Sequence, residues 1–510
     1  MTTATAPASV VSSSAIDGKP TLIRFPHLAL NPPRKIAPEL GMFGGVAASV
    51  GQAVDTYDWD TVFAIKFADV NSELAKPGST PASFTSTDTG ITASGNFGPW
   101  QLSGGDGVLL HMTVPIRSGT MPYNGTTYDL SGAVATIEIQ LRDLPQPPGS
   151  NGTPHQVVPN ATAAVAVTDL SNLPGNPGFI VQSIFTGLLN KWFNANLAQF
   201  THTFSTIDLN EKADKDGFQW LKPTAMGWAV SAQGAPADSV FGVLAMTDNR
   251  TAPNTMQISP NAIPAGQRAG FLIAQERFLE ELVLPGVPTM FPGSKATDFA
   301  MSNDGTMIKN VNAVNMEQVN LSGSNYTPML PANQVQITME ASEIVVKLIK
   351  AEVDFSPGIK IMMDYTGYSA LQLSVNSSGQ QILNYVQASD PVTDHNVEVA
   401  AWVVWTEVAA SVAAAIITLG TGAVFKKVIE NIVLRVVAII ITLLVTELIA
   451  NIGAIITAIA TGDKDKIPPV DLMVNNATSP VTWPGATGFL LTSAALNQSF
   501  QLGGNPQFVN

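Results

Sequence analysis

The run Phe218-Gln219-Trp220-Leu221-Lys222-Pro223-Thr224-Ala225-Met226-Gly227-Trp228-Ala229-Val230 leads through Gln233-Gly234-Ala235-Pro236-Ala237-Asp238 into Val240-Phe241-Gly242-Val243-Leu244-Ala245-Met246. Two short β-prone runs around a Gly/Pro/Asp cluster predict an antiparallel strand pair. A polar loop rich in Pro and Asn follows. From Phe271 onward, Phe278 and Leu282, and likewise Leu279 and Val283, stand four apart, while Glu276, Glu280 and Glu281 fall on the other side. That spacing predicts an amphipathic helix, and Pro285-Gly286 ends it.

Outward from this stretch, Trp59, Phe63, Phe67, Val70 and Leu74 recur at helical steps before Pro77-Gly78, which predicts a helix from Trp59. Residues 134–142 alternate instead. Ile137, Ile139 and Leu141 take one face and Thr136, Glu138, Gln140 and Arg142 the other, the mark of a half-buried antiparallel strand. Residues 107–116 and 157–167 read similarly. Ile180, Ile184, Leu188, Trp192 and Leu197 restore helical spacing over 179–197. Strands are expected again over 335–339, 343–355, 359–365 and 371–375.

Trp220-Leu221-Lys222-Pro223, then residues 241–247, Phe278-Leu279 and Leu284-Pro285-Gly286, resemble the clostridial P-forty-seven family of the orfX-type neurotoxin clusters, whose relatives accompany insecticidal toxins. Tyr57-Asp58-Trp59-Asp60-Thr61-Val62-Phe63, Phe200-Thr201-His202-Thr203-Phe204 and Trp483-Pro484 extend the resemblance from about residue 55 to the C-terminus. The resemblance implies the tubular lipid-binding (TULIP) superfamily: an α+β fold in which a strongly curved antiparallel sheet wraps long helices around an apolar groove. It implies a lipid or another apolar molecule as ligand, and toxin-cluster proteins as partners. Trp59, Trp220, Leu221, Lys222, Pro223, Gly242, Phe278, Leu284, Pro285 and Gly286 are then fold-defining positions. For Trp220 and Pro223 the residues themselves favour filling the core and marking a strand edge over contacting a ligand.

Of 510 residues, 45% are hydrophobic and only 13% charged, against roughly 25% charged in ordinary globular chains. The formal net charge of −14 argues against nucleic acid as a partner and against electrostatic attachment to anionic lipid. The chain has no cysteine, so disulfides and thiol chemistry are excluded. The N-terminus lacks the basic and apolar regions of a standard secretory signal. A soluble protein is expected, cytoplasmic until released or exported by another route. Residues 1–54 read as a flexible or extended arm and 55–510 as the family domain.

Catalytic signatures are missing, no cofactor is called for, and a non-enzymatic role is expected. The five histidines are scattered without metal-ligand spacing. His202 alternates onto the face of Phe200 and Phe204, which favours a packed, hydrogen-bonded core role. Asp208, Asp214 and Asp216 crowd one loop without calcium-loop spacing, and a solvated loop is expected there.

Residues 397–460 are almost wholly apolar, broken by Gly420-Thr421-Gly422, and predict a helical hairpin. Trp402, Trp405, Ile440 and Leu444 are its candidate contacts with a membrane surface or another apolar phase. Glu407, Arg435 and Glu447 interrupt it, which favours burial against protein over constitutive membrane insertion. A toxin component acting at membranes through this hairpin is the alternative reading.

Overall fold

The computed structural model describes residues 21–24, 53–106, 109–147, 154–207, 219–321, 324–400, 428, 432, 434–436, 438–441, 452–470 and 481–508. Among these the protein is β-rich, with three large antiparallel sheets and few helices.

The six-stranded sheet holds the motif region. Its order is Pro223–Ser231, Val240–Thr247, Thr61–Lys66, Ala269–Ala274, Ser499–Phe508 and Ala486–Leu496. The first two strands form the expected pair, with Trp228 opposite Val243. Every residue of Val240–Thr247 is buried. Its central strands are covered on both faces, and alternation divides their side chains. Phe63, Ile65, Phe241, Val243, Phe271 and Ile273 enter the main core. Val62, Ala64, Leu244 and Leu272 join Trp59, Ile258, Ala262 and Ile263 in a second core behind.

This double burial corrects two expectations. The chain from Trp59 is a strand over Thr61–Lys66 before it becomes a helix, α1, over Phe67–Leu74. The run from Phe271 is likewise the inner strand Ala269–Ala274 before the helix (α3, Gln275–Leu282) begins. Continuous apolar runs buried on both faces lose the period-two signal, so helical and strand spacings look alike.

The ten-stranded sheet orders Val481–Thr482, Ser205–Ile207, His155–Pro159, Val134–Pro145, Leu109–Tyr123, Ile91–Phe97 and Ser83–Asp88, with three strands off this path. The Val134–Pro145 strand buries Ile137, Ile139 and Leu141 as its alternation requires. The region 157–167, expected as one strand, is split between His155–Pro159 and Ala166–Ser171. A second helix, α2 (Phe179–Asn196), packs on this sheet. Phe97 stands 5.1 Å from Trp192 and 5.9 Å from Phe193, ring centre to ring centre, and Trp100 stands 5.6 Å from Phe193.

The nine-stranded sheet orders Thr21–Arg24, Gln381–Val399, Ile359–Val375, Glu343–Ser356, Val335–Glu340, Met307–Asn310 and Phe299–Met301. Its three long strands run 19, 17 and 14 residues. The pairing register slips between Leu348 and Ala351, between Asp354 and Ser356, and again beside Tyr368. Each slip adds local twist, and the result is a strongly curled half-barrel. Within Ile359–Val375 one face is buried at Ile359, Ile361, Met363, Tyr365 and Leu371.

The apolar hairpin expected over 397–460 is not supported. Val397 and Val399 are the buried end of the Gln381–Val399 strand. A helix covers Ile452–Thr461, and residues 438–441 are helical and buried. Trp402, Trp405, Glu407, Leu444 and Glu447 lie outside the described residues. No helix among the described residues is long and apolar enough to cross a membrane.

Candidate functional site

The strand-to-helix step at Ala274-Gln275 and the entry to Thr61–Lys66 lie side by side, since the Ala274 amide donates to the Asp60 carbonyl (2.9 Å). Tyr57 and Asp58 have φ of 53° and 67°, and Asp248 and Asn249 have 50° and 58°. These left-handed positions reverse the chain sharply at the two strand ends. The reversal gathers polar groups into a cleft of about 640 Å³ lined by Asp55, Asp58, Asp60, Arg250, Glu276 and Asp304, among others.

Asp60 forms its floor and is buried. Its Oδ2 accepts from the Thr247 amide (2.8 Å) and hydroxyl (2.9 Å), and its Oδ1 lies 3.3 Å from Arg250 Nη1. Burial pushes the Asp60 carboxyl above its ordinary range, against the pull of those hydrogen bonds and the Arg250 charge. Arg250 Nη2 reaches Glu276 Oε2 at 2.6 Å. At the rim, the Ser302 hydroxyl and then the Thr306 amide hold the Asp304 carboxyl below its ordinary value. Five carboxylates against one guanidinium make this a cleft for cationic donors. No group of three or more His, Cys, Asp or Glu side chains suited to a metal ion occurs among the described residues.

Beside the cleft, Arg277 is buried and paired with Glu280 (2.8 Å), Glu281 (3.2 Å) and Asp248. Its guanidinium stands 5.9 Å from the Trp220 ring centre. Sequence spacing reveals Glu280 and Glu281 as helical neighbours of Arg277. It gives no sign that Asp60, Asp248 and Arg250 join them, because those pairings are made by the sheet.

Trp59 is buried and donates Nε1 to the Thr255 carbonyl (2.9 Å). Trp220 and Leu221 are buried in a short 3₁₀ turn, Lys222 is half-buried, and Pro223 opens an edge strand, where its missing N–H costs no ladder bond. Phe278 is fully buried and stacked on Phe500, 5.3 Å between ring centres. A Cβ at Gly242 would strike Ile258, and one at Gly286 would strike Ile439. Leu284 is half-buried, Pro285 is exposed, and both belong to the 3₁₀ segment Leu284–Met290. Ile440 is buried beside Ile439 and Ile441.

His202 is buried on one face with Phe200 and Phe204, against a small cavity also lined by Asp69, Glu73 and Trp483. Its Nε2 has no hydrogen-bond partner among the described residues. The loop carrying Asp208, Asp214 and Asp216 lies outside the described residues.

A model of the OrfX-like family, described as Protein OrfX2/OrfX3/P47, matches residues 56–504. The chain belongs to the OrfX-like family. Protein OrfX3 of Paraclostridium bifermentans is 28% identical over 496 residues, 88% of this chain and 98% of that one. Protein OrfX3 of Clostridium botulinum (strain Kyoto / Type A2) is 26% identical over 497 residues, covering 89% and 99%. The solved structure of P47 from Clostridium botulinum A2 matches with a TM-score of 0.57 at 16% identity, covering 89% of this chain and 98% of that one. That likeness shows a shared fold. In this OrfX-like chain the cleft is lined in part by Asp58 and Asp60, inside the Tyr57–Phe63 motif that carries part of the resemblance.

Proposed function

We propose that this OrfX-like protein is a non-enzymatic binder of a lipid or another long apolar molecule, of TULIP type, and an accessory to a bacterial toxin system. The supporting observation is the apolar continuity between the curled sheet and the C-terminal helical segments. Ile439, Ile440, Ile441, Ile455 and Ala458 share one uninterrupted core with Val346, Leu348, Val353, Ile361 and Met363. An acyl chain entering such a region desolvates no polar group and gains about 0.8 kcal/mol per buried CH₂. The test is uptake of a fluorescent fatty acid or phospholipid by the purified protein. Saturable uptake supports the reading, and no uptake of either probe by protein freed of endogenous lipid overturns it.

A second reading, a protein partner within the same toxin system, is favoured by the carboxylate-lined cleft at Asp55–Asp60. A partner presenting lysine or arginine side chains there would bind in a salt-dependent way. Asp304→Asn with Asp58→Asn should weaken that contact and leave lipid uptake unchanged.

A further inference from the structure

Helix α2 carries an apolar end that the core does not use. Its buried residues are Val181, Phe185, Leu188, Leu189, Trp192 and Phe193, a face one step out of phase with the Ile180 stripe the spacing predicted. Phe179 and Ile180 are therefore left 82% and 65% exposed at the first turn. They are adjacent, unlike the other large exposed apolar residues, Val311, Val375, Val392 and Leu490.

The surroundings are open to solvent, with residues 175, 176, 178, 179 and 180 all exposed. A Cβ at Gly175, Gly178 or Gly187 would meet nothing within 4 Å among the described residues. The loop Leu173-Pro174-Gly175-Asn176-Pro177-Gly178 enters the helix, and Gln182 Nε2 ties it down through the Pro177 carbonyl (3.0 Å). From Leu170 to Asn190 no residue is charged, in a chain of net charge −14.

We infer that the Phe179–Ile180 tip of α2 is a membrane-docking point that inserts into the hydrocarbon edge of a zwitterionic bilayer. The inference rests on the lipid-binding reading, to which it adds the place where the protein meets its source or destination of lipid. Two exposed side chains at the end of a helix fall far short of the ~1,000 Å² that a specific protein interface needs. A bilayer requires no such area, because each apolar side chain that enters it gains independently. The missing charge fits the same occupant. Lysines or arginines would mark an anionic surface, whereas an uncharged tip enters the interface without stripping water from an ion.

The experiment is flotation of the full chain with phosphatidylcholine vesicles, comparing the parent with the double variant Phe179→Ser, Ile180→Ser. Both side chains are exposed, so the variant should keep the parent's melting temperature. The parent should float, and the variant should lose at least about ten-fold in partitioning, about 1.4 kcal/mol. Val375→Ser, at an exposed site in another sheet, should float like the parent, and vesicles enriched in phosphatidylserine should bind no more tightly. A parent that does not float, or a double variant that floats equally well, overturns the docking point. Lipid extracted from parent and variant is measured separately, so docking can fail while the lipid-binding reading stands, and the reverse.

Discussion

At the scale of single residues, stability rests on large side chains closed into the core by shape. Trp220 is buried under the Arg277 guanidinium and Phe278 is stacked on Phe500. Trp220→Ala or Phe278→Ala should each cost about 3–5 kcal/mol, read from urea or guanidinium midpoints. A variant that kept its midpoint while losing a ligand would make that residue part of a binding site instead. Gly286→Ala forces a methyl onto Ile439 and should cost about 1–3 kcal/mol by the same measurement. His202 makes stability depend on pH. Burial lowers its pKa from 6.5 to about 4. Above pH 6.5 it is neutral both folded and unfolded, and its full contribution is present. As pH falls from 6.5 towards 4 only the unfolded chain takes up the proton, so stability falls by about 3 kcal/mol in total. Below that range this group changes nothing further. His202→Leu should remove this part of the pH dependence, seen by comparing midpoints at pH 7 and pH 4.5. Equal slopes in parent and variant would show that the imidazole is hydrated in the folded state.

At the scale of elements, alternating strands and the first-motif hairpin were legible, and buried runs were not. Ile137, Ile139 and Leu141 announce their strand because the opposite face is polar. Val62 to Ile65 and Phe271 to Ile273 are buried on both faces, so their apolar continuity conceals the period, and helix was read where strand forms. Val397 and Val399 joined an apolar run in sequence but finish a strand in space. In α2 the stripe was displaced because Phe185, Leu189 and Phe193 outweigh Ile180 and Ile184 in filling the space under Phe97 and Trp100. The helical residues 438–441 carry a prediction of their own. Ile440 is fully buried, and the nearby Arg435 finds Glu317 and, at 3.4 Å each, the Thr289 and Met290 carbonyls. Ile440→Asp would bury a charge within the apolar core that Ile440 now fills. It should destabilise the protein by a few kcal/mol, roughly 3–5. A variant as stable as the parent would place that face against lipid or water.

At the scale of the whole molecule, the curled sheet was reached through the resemblance rather than through any local pattern. Its curl comes from register slips such as that between Leu348 and Ala351, which leave no mark in hydrophobic spacing. The cleft was hidden for a similar reason. Asp60, Arg250, Glu276 and Asp304 are brought together only when strands far apart in sequence pair. What unites these features is a chain poor in charge whose core runs without interruption from the motif sheet to the C-terminal helical segments. On the reading proposed above, such a molecule recognises by shape and apolar burial, with a long apolar molecule as its occupant. Native mass spectrometry of the freshly purified, detergent-free protein tests that reading most directly. A mass above that of the chain by one or more lipids in fixed stoichiometry, released on collisional activation, is expected. A bare chain mass that stays bare after incubation with phospholipid or fatty acid would contradict the reading.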